Sequence, residues 1–582
     1  MRDWKRWPLI SGRTAFRVAI LLVFVFKCWV VHREEIYGLT AEHDELWYLN
    51  SARAWYWNAD YSWTAFYRPA AYPLWVASVH KIGLPLRIAT DLLQIGGFAL
   101  IALALRYANV SRPVVWLFFA LATLNPATFV LNNYSRADAF YAGAMAWFIG
   151  GLIVLLGRPS VGAASVSALA CAALWHAREE SMLLPPLVIS YVLAAYVLRR
   201  ARTNDWQRAL RGLGAPAVVF VVLAIALVAA INTANYRRFG GFAKSEMTSP
   251  DYAAAYRALL RIRPARVDRF VPVSREAIEK AFGVSPTFAR LRRAYEGPVG
   301  QLWQSPTEYT TNLPGEIPAG WTRFALRSMA ASIGVHRDPE RARKFYRRVA
   351  REINRACDEG KIPSRVVLSD FLDPGTMHFL RYVPESFARV VSVLFHQYAV
   401  TIDREDAVME PRFRDLYDEM ALRRTALSRI GQLRLIGWAF QVGDPVEFVG
   451  YDAIRGEIEA GTTHLGPLAS AAPAAAGEGD VPEKVQFVLS IELRHGAGPA
   501  GDLLFITRSG ARYRAPVESV FRGDALLRET GEGPPLQYAI AARDFSPSRE
   551  AASLAVENFI GKHYRYLMMI FSVAAAIAAC VL

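Results

Sequence analysis

Lysine is nearly missing from this chain: nine of its 67 basic residues are Lys and the other 58 are Arg. Cysteine is also scarce. Of the four, Cys28, Cys171 and Cys580 fall in apolar runs and Cys357 stands alone outside them, so no disulfide framework follows. The chain has no GxxxxGK[ST] phosphate loop, no CxxC pair, no HExxH and no GxSxG. Phosphate-loop, dithiol, zinc-protease and nucleophile-elbow chemistries therefore have no sequence support.

Long apolar runs are what the chain has in abundance. Its 582 residues exceed what one soluble core usually holds, so at least two structural units are expected. It is 53% hydrophobic and 12% aromatic, yet carries a net charge of +15. Much of that charge sits in short segments flanking apolar runs, where it sets membrane orientation, so no nucleic-acid partner is expected. The Arg bias, with the heavy use of Ala, reads as the codon habit of a GC-rich bacterium.

A bilayer-spanning helix needs about 20 mostly apolar residues. Such runs lie near 14–31, 86–105, 113–131, 138–157, 160–175, 181–198 and 211–232. The first follows Arg2, Lys5, Arg6 and Arg13 but lacks a small-residue cleavage site, so it reads as a retained anchor. Threading alternately places the N-terminus and the Arg-bearing loops at 106–112, at Arg158 and at 199–211 on one side. The positive-inside tendency makes that side cytoplasmic. Loops 32–85, 132–138 and 176–180, and everything after 232, then face outward from a bacterial inner membrane. The cytoplasmic loops are too short to build a nucleotide-sugar domain.

The expected architecture is mainly α: a polytopic transmembrane helix bundle over residues 1–232, then a mixed extracytoplasmic region. Residues 233–426 read as helical, with Asp338 as N-cap and Pro339 at the first helical position of a charged helix running toward Cys357. Residues 427–545 read as a β-rich, sandwich-like domain. Its strands are expected at Gln432 to Phe440, Pro445 to Tyr451, Lys484 to Leu493, Asp502 to Thr507 and Leu536 to Ala542. The low-complexity stretch GPLASAAPAAAGEGD interrupts them as a loop. Residues 546–582 form a connector and another candidate span from Tyr564 to Leu582, either a membrane tail or the point where a longer protein is cut.

Three outward loops are loaded with ionisable groups at the membrane boundary. The first contains AEHDELWYLNSARAWYW and then YRPAAYPLW, with Asp44 and Glu45 a dozen residues beyond the first span. The second, NNYSRADAFY, places Arg136 and Asp138 at the start of the fourth span; the third, WHAREESMLLPP, places His176, Arg178, Glu179 and Glu180 before the sixth. Ionisable residues at membrane depth are expensive unless they serve a site or pathway. Taken singly, Asp44 and Glu45 read as solvated loop acids, and Asp138 reads equally well as a helix cap. Three loaded loops on one face are different, because a site needs groups converging from separate elements.

The arrangement resembles the GT-C superfamily of membrane glycosyltransferases, the group that contains protein O-mannosyltransferases and aminoarabinose transferases. The matching pieces are His43, Asp44 and Glu45 followed by Tyr48, Arg68-Pro69 with Tyr72-Pro73, the Arg136 to Asp138 turn, and Arg178 with Glu179 before a Leu-Pro run. They span roughly residues 14–232. The resemblance implies a seven-helix module, an acidic motif in the first outer loop and a polyprenyl-phosphate-linked sugar donor, with a glycan, lipid or protein as acceptor. Asp44 would be the base, with Glu45 beside it. Arg178, Arg136 or Arg68 would hold the leaving phosphate, because a guanidinium fork matches phosphate oxygens and stays charged. Tyr72, Asp138, His176, Glu179 and Glu180 would complete the substrate site.

No cofactor is certain; a divalent metal at Asp44 and Glu45 stays open, although no ligand spacing supports it. The cluster Trp47, Tyr48, Trp55, Tyr56 and Trp57 suits a membrane interface, chiefly as an ordinary aromatic belt. Trp438 reads more readily as a core aromatic than as a sugar platform. Two rivals remain: a transporter, which would bury its charges nearer the midplane and show repeated halves, and a non-catalytic envelope assembly protein acting through its soluble region.

Overall fold

The computed structural model describes residues 12–31, 36, 44–61, 64–179, 181, 184–203, 206–311, 313–367, 369, 376–394, 416–417, 419–421, 430–440, 444–453, 463–467, 485–492, 501–516, 536–547, 556, 559–564, 566 and 568. The helices of the apolar half are α1 (Gly12–Val31), α2 (Asp44–Arg53), α3 (Ala71–Lys81), α4 (Leu86–Tyr107), α5 (Arg112–Thr123), α6 (Pro126–Val130), α7 (Ala137–Gly157), α8 (Val161–Trp175), α9 (Leu184–Thr203) and α10 (Trp206–Phe239). Those that follow are α11 (Pro250–Arg261), α12 (Arg275–Val284), α13 (Pro286–Ala289), α14 (Arg292–Glu296), α15 (Pro298–Thr311), α16 (Thr322–Ser332), α17 (Pro339–Asp358) and α18 (Val383–Leu394). The chain is mainly helical.

Five segments are long and apolar enough to cross a membrane: Thr14–Val31, Leu86–Tyr107, Arg112–Asn133, Ala137–Gly157 and Gly214–Phe239. α7 is the central one, packed against α4 and α8, with α10 against α8 and its Phe220 ring 6.4 Å from Phe148 of α7. Small residues let these backbones close up. A Cβ on Gly97 of α4 would lie 2.6 Å from the Ala146 Cβ of α7, and one on Gly150 would lie 2.9 Å from Leu100 Cγ. In a membrane, where apolar side chains gain nothing by leaving lipid, such close approach is what holds helices together.

Three details differ from the sequence expectation. The third run is broken: Asn125 caps a new helix with Pro126 at its first position, so α5 ends at Thr123 and α6 begins after a turn. The expected loop at 199–211 is largely helical, since α9 runs to Thr203 and α10 starts at Trp206, Arg, Ala and Leu being good helix formers. α8 has only 15 residues, about 22 Å of helix. It nevertheless runs antiparallel to α7 and returns the 176–181 turn to the end of α7 that carries Asp138, as the Arg178–Asp138 ion pair requires.

Beyond α10 a second core forms from α11, α12, α16 and α17, and Trp47 and Tyr67, from the segment between α1 and α4, belong to it. Asp338 caps α17 as expected, its carboxylate accepting from Arg341 N–H at 2.8 Å with Pro339 next. The aromatic residues of the first outer loop do not form a surface belt. Trp47, Tyr48 and Tyr56 are buried, Trp57 donates its ring N–H to Asn235 Oδ1 at 2.9 Å, and Trp55 alone of the five is exposed. Trp47 is drawn into the core of the helical layer, whereas Tyr48 packs edge-on to Tyr72 and Tyr56 packs against Phe239 of α10, each burial removing apolar surface from water.

The strands are β1 (Ile430–Phe440), β2 (Val446–Ala453), β3 (Thr463–Pro467), β4 (Val485–Glu492), β5 (Gly501–Thr507), β6 (Arg512–Pro516) and β7 (Gln537–Pro547). They form a four-stranded sheet in the order β3-β4-β1-β7 and a three-stranded one in the order β2-β5-β6, antiparallel throughout. Phe505 of the smaller sheet meets Phe487 and Tyr538 of the larger at ring-centroid distances of 6.0 and 5.0 Å. β3 and β6 were not expected: β3 ends in a Gly-Pro pair that reads as loop, and β6 reads as polar turn sequence. Val556 and Ile560, before the C-terminal segment, pack against Val30, Val31 and Phe129 at the ends of α1 and α6, and Tyr564 donates to the Leu121 carbonyl at 2.7 Å. Of the expected span Tyr564 to Leu582, only Tyr564, Tyr566 and Met568 are among the described residues.

Candidate active site

The first turn of α2 begins the site. Asp44 and Glu45 open this helix, where carboxylates complement the N-terminal dipole, and the helix directs them apart. Asp44 keeps 45% of its side chain exposed and pairs with Arg68. Glu45 is 2% exposed; it accepts from Arg136 Nε at 3.0 Å and from the hydroxyl of Tyr417. Burial pushes the Glu45 carboxyl upward, opposed by the Tyr417 hydrogen bond and by Arg136.

Arg68 joins two loops. Besides Asp44 it reaches Glu179 at 3.8 Å, and its guanidinium lies 4.1 Å over the Phe324 ring. Arg178 pairs with Asp138, tying the third loaded loop to the second. All three loaded loops thus meet, and each arginine crosses from one loop to an acid on another. Arg68 Nε and Glu179 Oε1 are buried without a hydrogen-bond partner among the described residues, polar capacity that water or a bound ligand can take up.

Two predicted residues sit behind this cluster. Tyr72 is buried, with its hydroxyl 3.2 Å from Ser135 Oγ and its ring edge-on to Tyr48. His176 is fully buried, its carbonyl accepting from Ala71 N–H at 2.8 Å; burial lowers its imidazole to about 4, which keeps it neutral. Glu180 and His43 lie outside the described residues. Among the described residues no group of three or more His, Cys, Asp or Glu gathers as a metal cage.

Sequence reasoning missed the residues that hold the loops in place. Lys244, just past α10, donates to the carbonyls of Arg178 and Glu179, both at 3.0 Å, and to Ser181 Oγ at 2.8 Å. The turn before Arg136 is pinned from α4: Arg87 Nε donates to Asn133 Oδ1 at 2.8 Å, Asp91 accepts from Asn132 at 2.9 Å, and Gln94 joins Asn132. Lys27 of α1 closes this group, 4.0 Å from Asp91 and bonded to Thr128. Arg87, Asp91 and Gln94 recur at helical spacing on one face of α4, a pattern visible in the sequence once polar as well as apolar periodicity is read.

The loop from Trp55 to Phe66 is strained. Trp55, Tyr56 and Phe66 have φ of 47°, 63° and 61° without being glycine, a cost that persists only where surroundings impose it. Arg327 holds the segment next to Phe66, donating to the Tyr61 carbonyl at 2.9 Å and to the Ala65 carbonyl at 3.4 Å, and the Tyr56 hydroxyl is tied to the Arg68 carbonyl at 2.8 Å. Arg327 also pairs with Glu246, which accepts from Tyr61 and faces His336. Burial opposes charge on Glu246, but His336 and Arg327 outweigh it and hold the carboxyl below its ordinary range. No family model, no curated protein and no solved structure matches the chain.

Proposed function

We propose that this chain is a membrane glycosyltransferase, GT-C-like, that moves a sugar from a polyprenyl-phosphate-linked donor to an extracytoplasmic glycan, lipid or protein acceptor. The observation that carries the reading is a set of ion pairs tying three separate loops together beside a half-exposed carboxylate, Asp44: Arg68 with Asp44 and Glu179, Arg136 with Glu45, and Arg178 with Asp138. In this reading α1, α4, α5 with α6, α7, α8, α9 and α10 make seven crossings of a bacterial inner membrane. The N-terminus is cytoplasmic, and the helical layer and a sandwich of the two sheets lie outside.

Asp44 takes the proton of the acceptor hydroxyl as that oxygen bonds to the anomeric carbon; the carbon–oxygen bond to phosphate breaks, and the phosphate leaves with the electron pair. Arg178 and Arg136, 30% and 43% exposed, are the forks open to that phosphate. Arg68, 13% exposed, orients Asp44 and offers Nε toward the same space. Glu45 acts through Arg136 as a positioning residue, and Asp138 and Glu179 hold the other guanidiniums until donor arrives. The isoprenoid tail stays in the bilayer beside the helix ends.

The transporter reading draws on the buried Lys27, Arg87 and Asp91 group. Its hydrogen bonds run to Thr128, Asn132 and Asn133, which supports a role in shaping the second outer loop. The deciding experiment incubates the purified chain in detergent with polyprenyl-phosphate sugars of several kinds. Release of polyprenyl phosphate, which needs no sealed compartment, is expected for at least one; no turnover of any, with no binding, contradicts the proposal.

A further inference from the structure

α11 and α17 run side by side in the same direction, Tyr252 against Tyr346 with ring centroids 4.6 Å apart and Asp251 against Arg347 at 3.1 Å. Their far ends diverge from the Glu246 and Arg327 cluster. Arg261 lies about 14 Å along its helix from Tyr252, and Asp358 about 18 Å from Tyr346, at 1.5 Å per residue. Residues 363–365 close over these ends: Arg263 N–H donates to the Pro363 carbonyl and Arg365 N–H to the Arg261 carbonyl, at 2.9 and 2.8 Å, with Ile262 bridged to Ser364.

The three segments enclose a cleft of about 610 Å³, within the range that holds small organic ligands. Its lining carries Arg257, Arg261 and Arg365 against one acid, Asp358. Two of the guanidiniums are fixed in advance. Arg261 is held by Asn354 at 3.1 Å and Asp358 at 2.5 Å, and Arg365 by the Leu260 and Pro272 carbonyls at 2.8 and 2.9 Å. Ala254, Ala258, Val366 and Val367 supply apolar surface beside them. Preorganised guanidiniums lose little freedom on binding and match the paired oxygens of carboxylate or phosphate.

We infer that this cleft is a binding site for an acidic sugar or sugar phosphate, its anionic group held by Arg257, Arg261 and Arg365 and its carbon skeleton laid on the alanine and valine surface. The site is separate from the Asp44 cluster, and no step of glycosyl transfer is needed for it. One anion chemistry serves two sources, a carboxylate and a phosphate, and the test separates them.

The test titrates the full chain in detergent with trigalacturonate and, in parallel, with glucose 6-phosphate, by calorimetry. Saturable binding of at least one is expected, and the one that binds tells which anion the site prefers. Arg257→Glu, an exposed position, should weaken it at least tenfold with the melting temperature unchanged; Arg257→Ala, which adds no new charge, should weaken it less but in the same direction. Binding of neither probe overturns the inference. So does binding that both variants leave within twofold of wild type, since the anion would then be held elsewhere on a basic chain.

Discussion

Arg327 Nε lies 2.7 Å from Glu246 Oε2, with both side chains sealed from solvent. Through Arg327 to the Tyr61 and Ala65 carbonyls and Glu246 to the Tyr61 hydroxyl, the pair joins the loop that carries Arg68 to the helical layer. Removing one partner of a buried pair strands the other charge, so Arg327→Met should cost about 3–5 kcal/mol. Glu246→Leu combined with Arg327→Met should recover part of that loss, because no lone charge remains. Thermal unfolding of both variants checks it, and a double variant worse than the single would contradict the assignment.

Arg178 and Asp138 are predicted to respond oppositely to donor. Arg178→Ala should weaken affinity for the polyprenyl-phosphate donor about tenfold or more. Asp138→Asn, which frees Arg178 from a competing anion, should leave affinity equal or tighter. Donor titration of the two variants measures this; equal losses in both would mean that the pair serves only to tie the loops.

His176 gives a pH signature. Folded, its imidazole takes a proton near about 4, against 6.5 for the unperturbed group. Between those values the unfolded chain binds more protons, so stability rises with pH through this window and the full contribution is present above about 6.5. His176→Gln should flatten the dependence of melting temperature on pH between about 4 and 6.5 relative to wild type. An unchanged slope would show that the ring is not held neutral.

Sidedness is checked with single cysteines at exposed positions in a background lacking the native four. Asn58→Cys and Ser364→Cys should react with an impermeant thiol reagent in intact cells, whereas Ser111→Cys and Ser160→Cys should react only after permeabilisation. Labelling of Asn58→Cys and Ser111→Cys alike would contradict the threading.

The sequence made the loops legible but not what binds them together. Asp44, Arg68, Arg136, Asp138, Arg178 and Glu179 were readable because each stands out against a neighbouring apolar run, and alternate threading put all of them on one face. Their pairing was not readable, since Arg178 turns from its adjacent acids to Asp138, 40 positions away. Glu246, Arg327 and His336 carried no signal, being ordinary charged residues in polar sequence until folding buried them together. The break before Pro126 was written in an Asn-Pro pair, but the surrounding hydropathy hid it. β3 takes its hydrogen bonds from β4, some twenty positions on, and β6 from β5 across a tight hairpin, while their own residues have little strand preference.

The most direct test of the account is the turnover of a polyprenyl-phosphate sugar by Asp44→Asn, which keeps the side chain's size and its hydrogen bond to Arg68 while removing the base. The account predicts a fall of about 10²–10⁴-fold in the rate of transfer, with donor affinity and melting temperature close to those of the unaltered chain. Transfer at near the original rate by a folded Asp44→Asn protein would contradict it.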